Sequence, residues 1–303
     1  MTNQGVELFE KHRPFLFGIA YRMLGSAADA EDMVQETFLR WQKNEPGELK
    51  SAEAWLATVV TRLCINHLKS ARVQREKYVG AWLPEPIVAD YATANPRENA
   101  EQAESLSIAF LVILETLSPT ERAVYLLKEV FGYEFGEVAR IVRKSEPNCR
   151  QLLSRARARI AERRPRFQSS ADQQRRLVEA FLKAINEGDV AGLLAILSEE
   201  VTLITDGGAE TPAPRRTIAG ADSVSRMLLR GAPREAAAAT VTRLVSINGW
   251  PGFLACRGQT PRAAIAFDID GERIRTIYLI ANPEKLASLP GGRPKTDASF
   301  DRN

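Results

Sequence analysis

The densest chemistry in this 303-residue chain is cationic. Residues 140–166 hold ten lysines and arginines against only Glu146 and Glu162. Arg143-Lys144-Ser145 reads as a short turn, with Ser145 capping a helix over about 145–160. That helix carries Arg150, Gln151, Ser154, Arg155, Arg157 and Arg159. Arg and Gln can hydrogen-bond base edges in a major groove, and Arg and Ser can also hold phosphates. Arg163, Arg164 and Arg166 follow as sequence-independent phosphate contacts. A second basic stretch, 62–77, offers Arg62, Asn66, His67, Lys69 and Arg72 to a nucleic-acid strand.

The opposite chemistry lies in 29–41. Asp29, Glu31 and Asp32 suit a helix N-terminus, where acids stabilise the dipole. Gln35, Glu36 and Trp41 lie too far along for that explanation. An acidic surface repels DNA, so this helix predicts a protein partner. Carboxylates that could serve a general acid or base in the C-terminal third are Asp206, Glu210, Asp222 and Asp268. Asp268 and Asp270 flank a hairpin signal and read as turn residues. Both histidines, His12 and His67, lie near the N-terminus, so the C-terminal third has no imidazole.

The elements that must position these groups are legible from periodicity. Helices are expected up to Gly25, over 29–41 behind a Ser26 cap, and from Ala54 to the basic stretch, with Pro46-Gly47 between the last two. Ser118-Pro119-Thr120-Glu121 starts a helix running to about Gly132. A short helix over 134–142, the turn and the basic helix complete a helix-turn-helix pattern. Two helices at 173–187 and 190–197 precede strands at 200–205, 214–218, 238–248, 252–258, 261–269 and 272–280, with a helix at about 221–230. Between the helical parts, Tyr78, Trp82 and Leu83 make an unusually apolar linker, stiffened by Pro84 and Pro86. It is expected to dock rather than float.

Apolar residues make up 45% and charged residues 26%, which excludes fibrous and wholly disordered classes. No apolar run predicts a membrane span, and the first residues predict no secretory signal. Cys64, Cys149 and Cys256 are odd in number and widely spaced, which predicts neither a disulfide framework nor a metal site and suits a reducing cytoplasm.

The run Phe17-Gly18-Ile19-Ala20-Tyr21-Arg22-Met23-Leu24-Gly25, the stretch from Ala28 to Trp41, and Ala54-Trp55-Leu56 through Asn66-His67-Leu68-Lys69 resemble region two of extracytoplasmic-function (ECF) RNA polymerase sigma factors. Leu117-Ser118-Pro119-Thr120-Glu121-Arg122, Glu137-Val138-Ala139 and Arg150-Gln151-Leu152-Leu153-Ser154-Arg155-Ala156-Arg157 resemble region four. Trp82-Leu83-Pro84-Glu85-Pro86, Asp206-Gly207-Gly208 and Asn282-Pro283-Glu284-Lys285-Leu286 resemble the subgroup with a SnoaL-like C-terminal domain. The chain departs from the common pattern at Arg62, Asn66 and Arg143, where many relatives have Asn, Asp and Gly.

The resemblance implies a multidomain chain: two all-α sigma domains, the second a helix-turn-helix, then an α+β cone-shaped SnoaL-like domain. The expected division is region two at 1–77, linker at 78–104, region four at 105–167, SnoaL-like regulatory domain at 168–288 and flexible tail at 289–303. Asp29, Asp32, Gln35, Glu36, Phe38 and Trp41 would bind core polymerase at the β′ clamp helices, with the β flap a further contact. Arg62, Asn66, Lys69 and Arg72 would engage the minus-ten element. Ser145, Arg150, Gln151, Ser154, Arg155 and Arg157 would engage the minus-thirty-five element. Tyr78, Trp82, Leu83, Pro84, Asp206, Gly207, Gly208, Asn282 and Pro283 would form a contact between the linker and the C-terminal domain. No cofactor, metal or catalytic residue is implied, the setting is cytoplasmic, and a small-molecule ligand in the C-terminal domain is a further candidate partner. The alternatives on the same residues are a stand-alone helix-turn-helix regulator with a ligand-sensing domain and a DNA-tethered cone-fold enzyme.

Overall fold

The computed structural model describes residues 3–43, 51–75, 80–91, 104–162, 170–209, 216–230 and 240–289, with the side chains of 3–4 and 71–75 excepted. Contacts divide the chain into two compact units, one of residues 1–77 with 110–164 and one of residues 78–109 with 165–303. The linker thus belongs with the C-terminal domain, and the two helical regions belong together.

The first unit opens with α1 (Asn3–Leu24), α2 (Ala27–Lys43) and α3 (Ala52–Arg75). Gly25 ends α1 at φ 65°, and the Ser26 hydroxyl accepts from the Asp29 amide to start α2. In α2, Ala30, Val34, Thr37 and Trp41 are buried at helical spacing; Leu16, Ile19 and Ala20 of α1 and Leu56, Val60 and Cys64 of α3 are buried too, and the three helices pack on one another. Trp41 is fully buried, donates its indole N–H to the Gly5 carbonyl at 2.9 Å and packs on Trp55. It is therefore an interior anchor of these three helices, and the expectation that it meets polymerase is corrected. At a period of 3.6, the residue four beyond Thr37 faces inward.

After α4 (Ile108–Leu114), α5 (Pro119–Tyr125) begins with a complete capping box between Ser118 and Glu121 and passes into a π-helical turn, Leu126–Val130. Next come α6 (Phe135–Val142) and α7 (Glu146–Ala161). Arg143 ends α6 in the left-handed region at φ 56°, ψ 52°. A non-glycine residue there costs about 1–2 kcal/mol, so the departure from Gly is accommodated as backbone strain rather than as a different turn. Ser145 caps α7 by accepting from Asn148, and Cys149, Leu153, Ala156 and Ile160 bury its inner face.

In the second unit, α8 (Ala171–Glu187), α9 (Val190–Ile196) and α10 (Ala221–Arg230) lie on a seven-stranded sheet. The strands are β1 (Val88–Asp90), β2 (Leu197–Asp206), β3 (Ile218–Ala219), β4 (Thr240–Ile247), β5 (Trp250–Arg257), β6 (Thr260–Asp270) and β7 (Arg273–Ile280), in the order β1-β4-β5-β6-β7-β2-β3. Only β2 and β7 run parallel; the other pairs are antiparallel. Val178, Phe181, Leu193 and Val224 of the helices meet Phe253, Ile269, Ile274 and Ile277 of the sheet in one core. A short helix, α11 (Pro283–Leu286), follows β7.

Several expectations change. The linker supplies an edge strand, β1, with Val88 opposite Ile247. Of the strand expected at 214–218 only Ile218 is seen as strand; 214 and 215 lie outside the described residues. Asp268 sits within β6 opposite Thr276, not in the turn, which is made by Gly271 and Glu272 after Asp270. Leu289, expected in the tail, is buried; residues 290–303 lie outside the described residues.

Candidate nucleic-acid, polymerase and linker interfaces

Helix α7 sorts its polar residues by angle. Gln151, Ser154 and Arg155 are exposed on the side opposite the buried Cys149, Leu153, Ala156 and Ile160. The flanking arginines are held by the protein. Arg150 pairs with Glu146 at 3.2 Å and lies 4.6 Å from the Phe135 ring centroid. Arg157 pairs with Glu129 at 2.8 Å, and Arg159 with Glu121 at 2.8 Å. Burial works to raise the Glu121 carboxyl, but Ser118 and Arg159 outweigh it and hold it below the ordinary value. Exposed pairs such as Arg150–Glu146 and Arg157–Glu129 are worth about 0–1 kcal/mol, so a phosphate can compete for either arginine. Ser145 is spent on capping the helix. The geometry thus places exposed polar side chains at the centre of the face and ion-paired arginines on its flanks.

On α3, Asn66 and Lys69 are exposed and His67 faces Asp29 at 3.6 Å. The Arg72 side chain lies outside the described residues. Arg62 does not project outward. Its Nε donates to the Ile141 carbonyl at 2.8 Å and its Nη2 to the Arg140 carbonyl at 2.7 Å, both at the end of α6. Burial, then Arg143, lowers the guanidinium's pKa from its ordinary value.

The acidic helix α2 exposes Asp32 and Gln35 on one face. Glu36 on that face pairs with Arg40 at 2.8 Å. Leu39 completes the i, i+3, i+4, i+7 set and is 44% exposed, unusual for a leucine and missed by reading charges alone. Phe38 is half-buried against Phe9, and Asp29 turns toward His67.

In the second unit, Asp206 ends β2 with 1% exposure. Its Oδ2 accepts from the Leu83 amide at 2.8 Å and from Lys285 Nζ at 2.6 Å, and its Oδ1 from the Gly208 amide at 3.2 Å. The same ammonium donates to the Leu83 carbonyl and lies 4.2 Å from the Trp82 ring centroid. Leu83, Pro84 and Pro86 are buried and Trp82 is half-buried. A Cβ on Gly208, at φ 66°, would lie 2.9 Å from Asn282 Cγ, and Asn282 in turn caps α11. Gly207 is buried, Pro283 is exposed, and Tyr78 lies outside the described residues. Charge and hydropathy did not single out Lys285, Glu85, Ser288 or Asn248. Yet Ser288 donates to Glu85 at 2.6 Å, and Asn248 exchanges hydrogen bonds with both main-chain groups of Ile87. The Asn248 side-chain Nδ2 also donates to the Leu106 carbonyl at 2.8 Å.

Among the candidate acids, Asp206 has both oxygens engaged by protein donors, Asp222 is exposed and Glu210 lies outside the described residues. Asp268 differs. Burial, only partly offset by Arg275, pushes its carboxyl up to about 6, and Oδ1 has no hydrogen-bond partner among the described residues. The described residues contain no cluster of metal-ligating side chains, and no helix among them is long and apolar enough to cross a membrane.

A helix-turn-helix and an acid-faced three-helix region fall within one compact unit, the arrangement of a two-region helical protein. Residues 8–73 match sigma-70 region 2, and residues 107–160 match sigma-70 region 4. The chain is 34% identical to the ECF RNA polymerase sigma factor SigJ of Mycobacterium tuberculosis, over 94% of each chain. It is 32% identical to the probable ECF RNA polymerase sigma factor SigI of the same species, over 93% of this chain and 96% of that one. The crystal structure of Mycobacterium tuberculosis SigJ superposes with a TM-score of 0.75 at 32% identity, covering 92% of this chain and 97% of that one. The chain belongs to the ECF RNA polymerase sigma factor family. As a sigma factor it binds core RNA polymerase and directs promoter-specific transcription initiation.

Proposed function

We propose that the α2 face of Asp32, Gln35, Glu36 and Leu39 docks on the β′ clamp helices of core polymerase, and that region four also meets the β flap. Asn66, Lys69 and Arg72 of α3 engage the minus-ten element. Gln151, Ser154 and Arg155 of α7 read the minus-thirty-five element, with Arg150 and Arg157 on phosphates. The C-terminal domain is regulatory and SnoaL-like, the protein acts in the cytoplasm, and the domain's means of control is its hold on the linker. The carrying observation is Asp206, a buried carboxylate shared by the Leu83 amide and Lys285, because it ties the segment between the two promoter-reading regions to the C-terminal domain. Run-off transcription with core polymerase tests this. Lys285→Met and a chain ending at residue 167 should both differ from the full-length protein, and in the same direction. Equal transcription by all three would refute control through the linker.

A second reading rests on Asp268. A half-buried carboxyl on the sheet, whose Oδ1 has no hydrogen-bond partner among the described residues, suits recognition of a small polar ligand. Its fold alone does not make the domain an enzyme. Turnover of any ligand, lost in Asp268→Asn, would establish catalysis instead.

A further inference from the structure

Counted along the sequence, the helix-turn-helix is strongly cationic, with ten lysines and arginines over 140–166 against two acids. Folded, its flanks carry less net charge than that count implies. Arg157 Nη2 donates to Glu129 of the π-helical turn at 2.8 Å, a partner 28 residues upstream, and Arg150 Nη2 donates to Glu146 at 3.2 Å. Both pairs reach water, the arginine side chains being 59% and 55% exposed. The Glu146 carboxylate lies against α6, since a Cβ on Gly136 would stand 3.2 Å from its Oε1, and Arg150 lies over the Phe135 ring. Arg150, Ser154 and Arg157 line one hollow of about 320 Å³ together with Phe135 and Leu153. Glu121 and Glu134 also pair with cations, but both belong to capping boxes; Glu129 and Glu146 do not.

We infer that Glu129 and Glu146 are specificity-determining residues of region four: they cancel its flanking charge toward DNA in general, and they hold Arg157 and Arg150 where the phosphates of the minus-thirty-five element fall. This rests on the reading of α7 as the minus-thirty-five helix and adds two residues which that reading leaves out. Binding to random DNA is driven by counterion release, so it follows the number of cations free to neutralise phosphates. An arginine already beside a carboxylate adds little net charge to the face. Binding to the proper element depends also on where each guanidinium stands, because base contacts from Gln151, Ser154 and Arg155 fix the register and so bring phosphates to fixed places. A guanidinium has five N–H donors, and each carboxylate here takes its hydrogen bond from Nη2, so Nε and Nη1 stay open to a phosphate. An arginine that is already held also has less rotamer freedom left to lose on binding. The two acids therefore weaken random binding more than they weaken binding to the element.

The test measures fluorescence anisotropy of the full-length chain on two labelled duplexes over a range of salt. One duplex carries the upstream element recovered by mapping transcript start sites, and the other has that element scrambled. An exposed pair is worth up to roughly fivefold in an equilibrium constant, so Glu129→Gln with Glu146→Gln should tighten binding to the scrambled duplex about tenfold. Two arginines newly free for phosphates should steepen its salt slope by about 1.8, at about 0.9 per phosphate. Binding to the promoter duplex should tighten by less, so that the ratio of the two affinities falls at least about threefold. Glu129→Asp with Glu146→Asp keeps both charges but shortens their reach. It should leave scrambled binding and its salt slope as in wild type and weaken promoter binding, a split that loss of charge alone does not produce. Equal tightening on both duplexes by the Gln variant, an unchanged salt slope, or an Asp variant that matches the Gln variant overturns the inference. With wild-type discrimination intact, those results strike the inference alone. A wild-type chain that binds both duplexes equally strikes the reading of α7, and the inference with it.

Discussion

Replacing Lys285 by Met removes one partner of a buried ion pair while keeping the side chain's length and its apolar contact with Trp82. The side chains of Lys285 and Asp206 are 11% and 0% exposed. Two opposing effects must be weighed. Replacing a buried pair as a whole by apolar groups is often neutral, but removing one partner leaves an uncompensated charge and costs about 3–5 kcal/mol. Loss of the cation over the Trp82 ring adds about 0.5–2 kcal/mol. Asp206 keeps two amide donors, from Leu83 and Gly208, which soften the loss. The expected destabilisation of the second unit is therefore about 3 kcal/mol. Adding Asp206→Asn removes the stranded charge and keeps an acceptor for the Leu83 amide, so the double variant should recover about half of that. The assay is denaturant unfolding followed by Trp fluorescence, together with hydrogen exchange at the Leu83 amide, which reports the linker directly. Exchange there should speed up about a hundredfold in Lys285→Met. A single variant within about 0.5 kcal/mol of wild type, or a double variant worse than the single, would refute the reasoning.

Asp268 carries a pH signature. Its carboxyl is raised from 3.8 to about 6, so the native state binds the proton more tightly than the unfolded chain; the stability this adds is complete below about pH 4 and lost as pH rises through 6. Asp268→Asn should flatten that fall and stabilise the second unit by about 1–3 kcal/mol at pH 7, read from unfolding midpoints against pH. Arg143→Gly should stabilise the first unit by about 1 kcal/mol in thermal unfolding, because glycine occupies the left-handed turn without a Cβ penalty. Asp32→Ala with Gln35→Ala should weaken binding to core polymerase and leave the melting temperature unchanged. Trp41→Ala should instead destabilise the first unit by about 3–5 kcal/mol, and a stable Trp41→Ala that merely lost polymerase binding would contradict its interior position.

What could be read in the sequence was local. Ser118 with Glu121, and Ser145 before a basic run, announce helix starts because the partners lie three residues apart. The charge contrast between α2 and α7 needed only counting. What stayed hidden was non-local. Val88–Asp90 is three residues long with no alternation, and becomes a strand because β4, some 157 residues on, has an unpaired edge. Trp41 fits an interface as well as an interior by residue type, and only the phase set by Ala30, Val34 and Thr37 decides. Arg62 looked like part of a basic surface, and nothing nearby in sequence announces its partners, 78 and 79 residues away. Asp268 was misplaced by two residues because the hairpin loop is shorter than the Asp-rich stretch around it. Lys285 resembles any surface lysine until β2 delivers Asp206 to it.

The central claim is that this chain gives core RNA polymerase its promoter choice through α7 and α3, under restraint by the C-terminal domain. Mapping transcript start sites on host genomic DNA in vitro, with core polymerase alone and with the protein added, tests that claim most directly. The protein should create a set of start sites that share two upstream sequence elements at fixed spacing. Replacing Gln151, Ser154 and Arg155 by Ala should abolish the set, and Lys285→Met should change its intensity without changing its sequences. No new start sites with the wild-type chain, or an unchanged set with the α7 triple variant, would contradict the account.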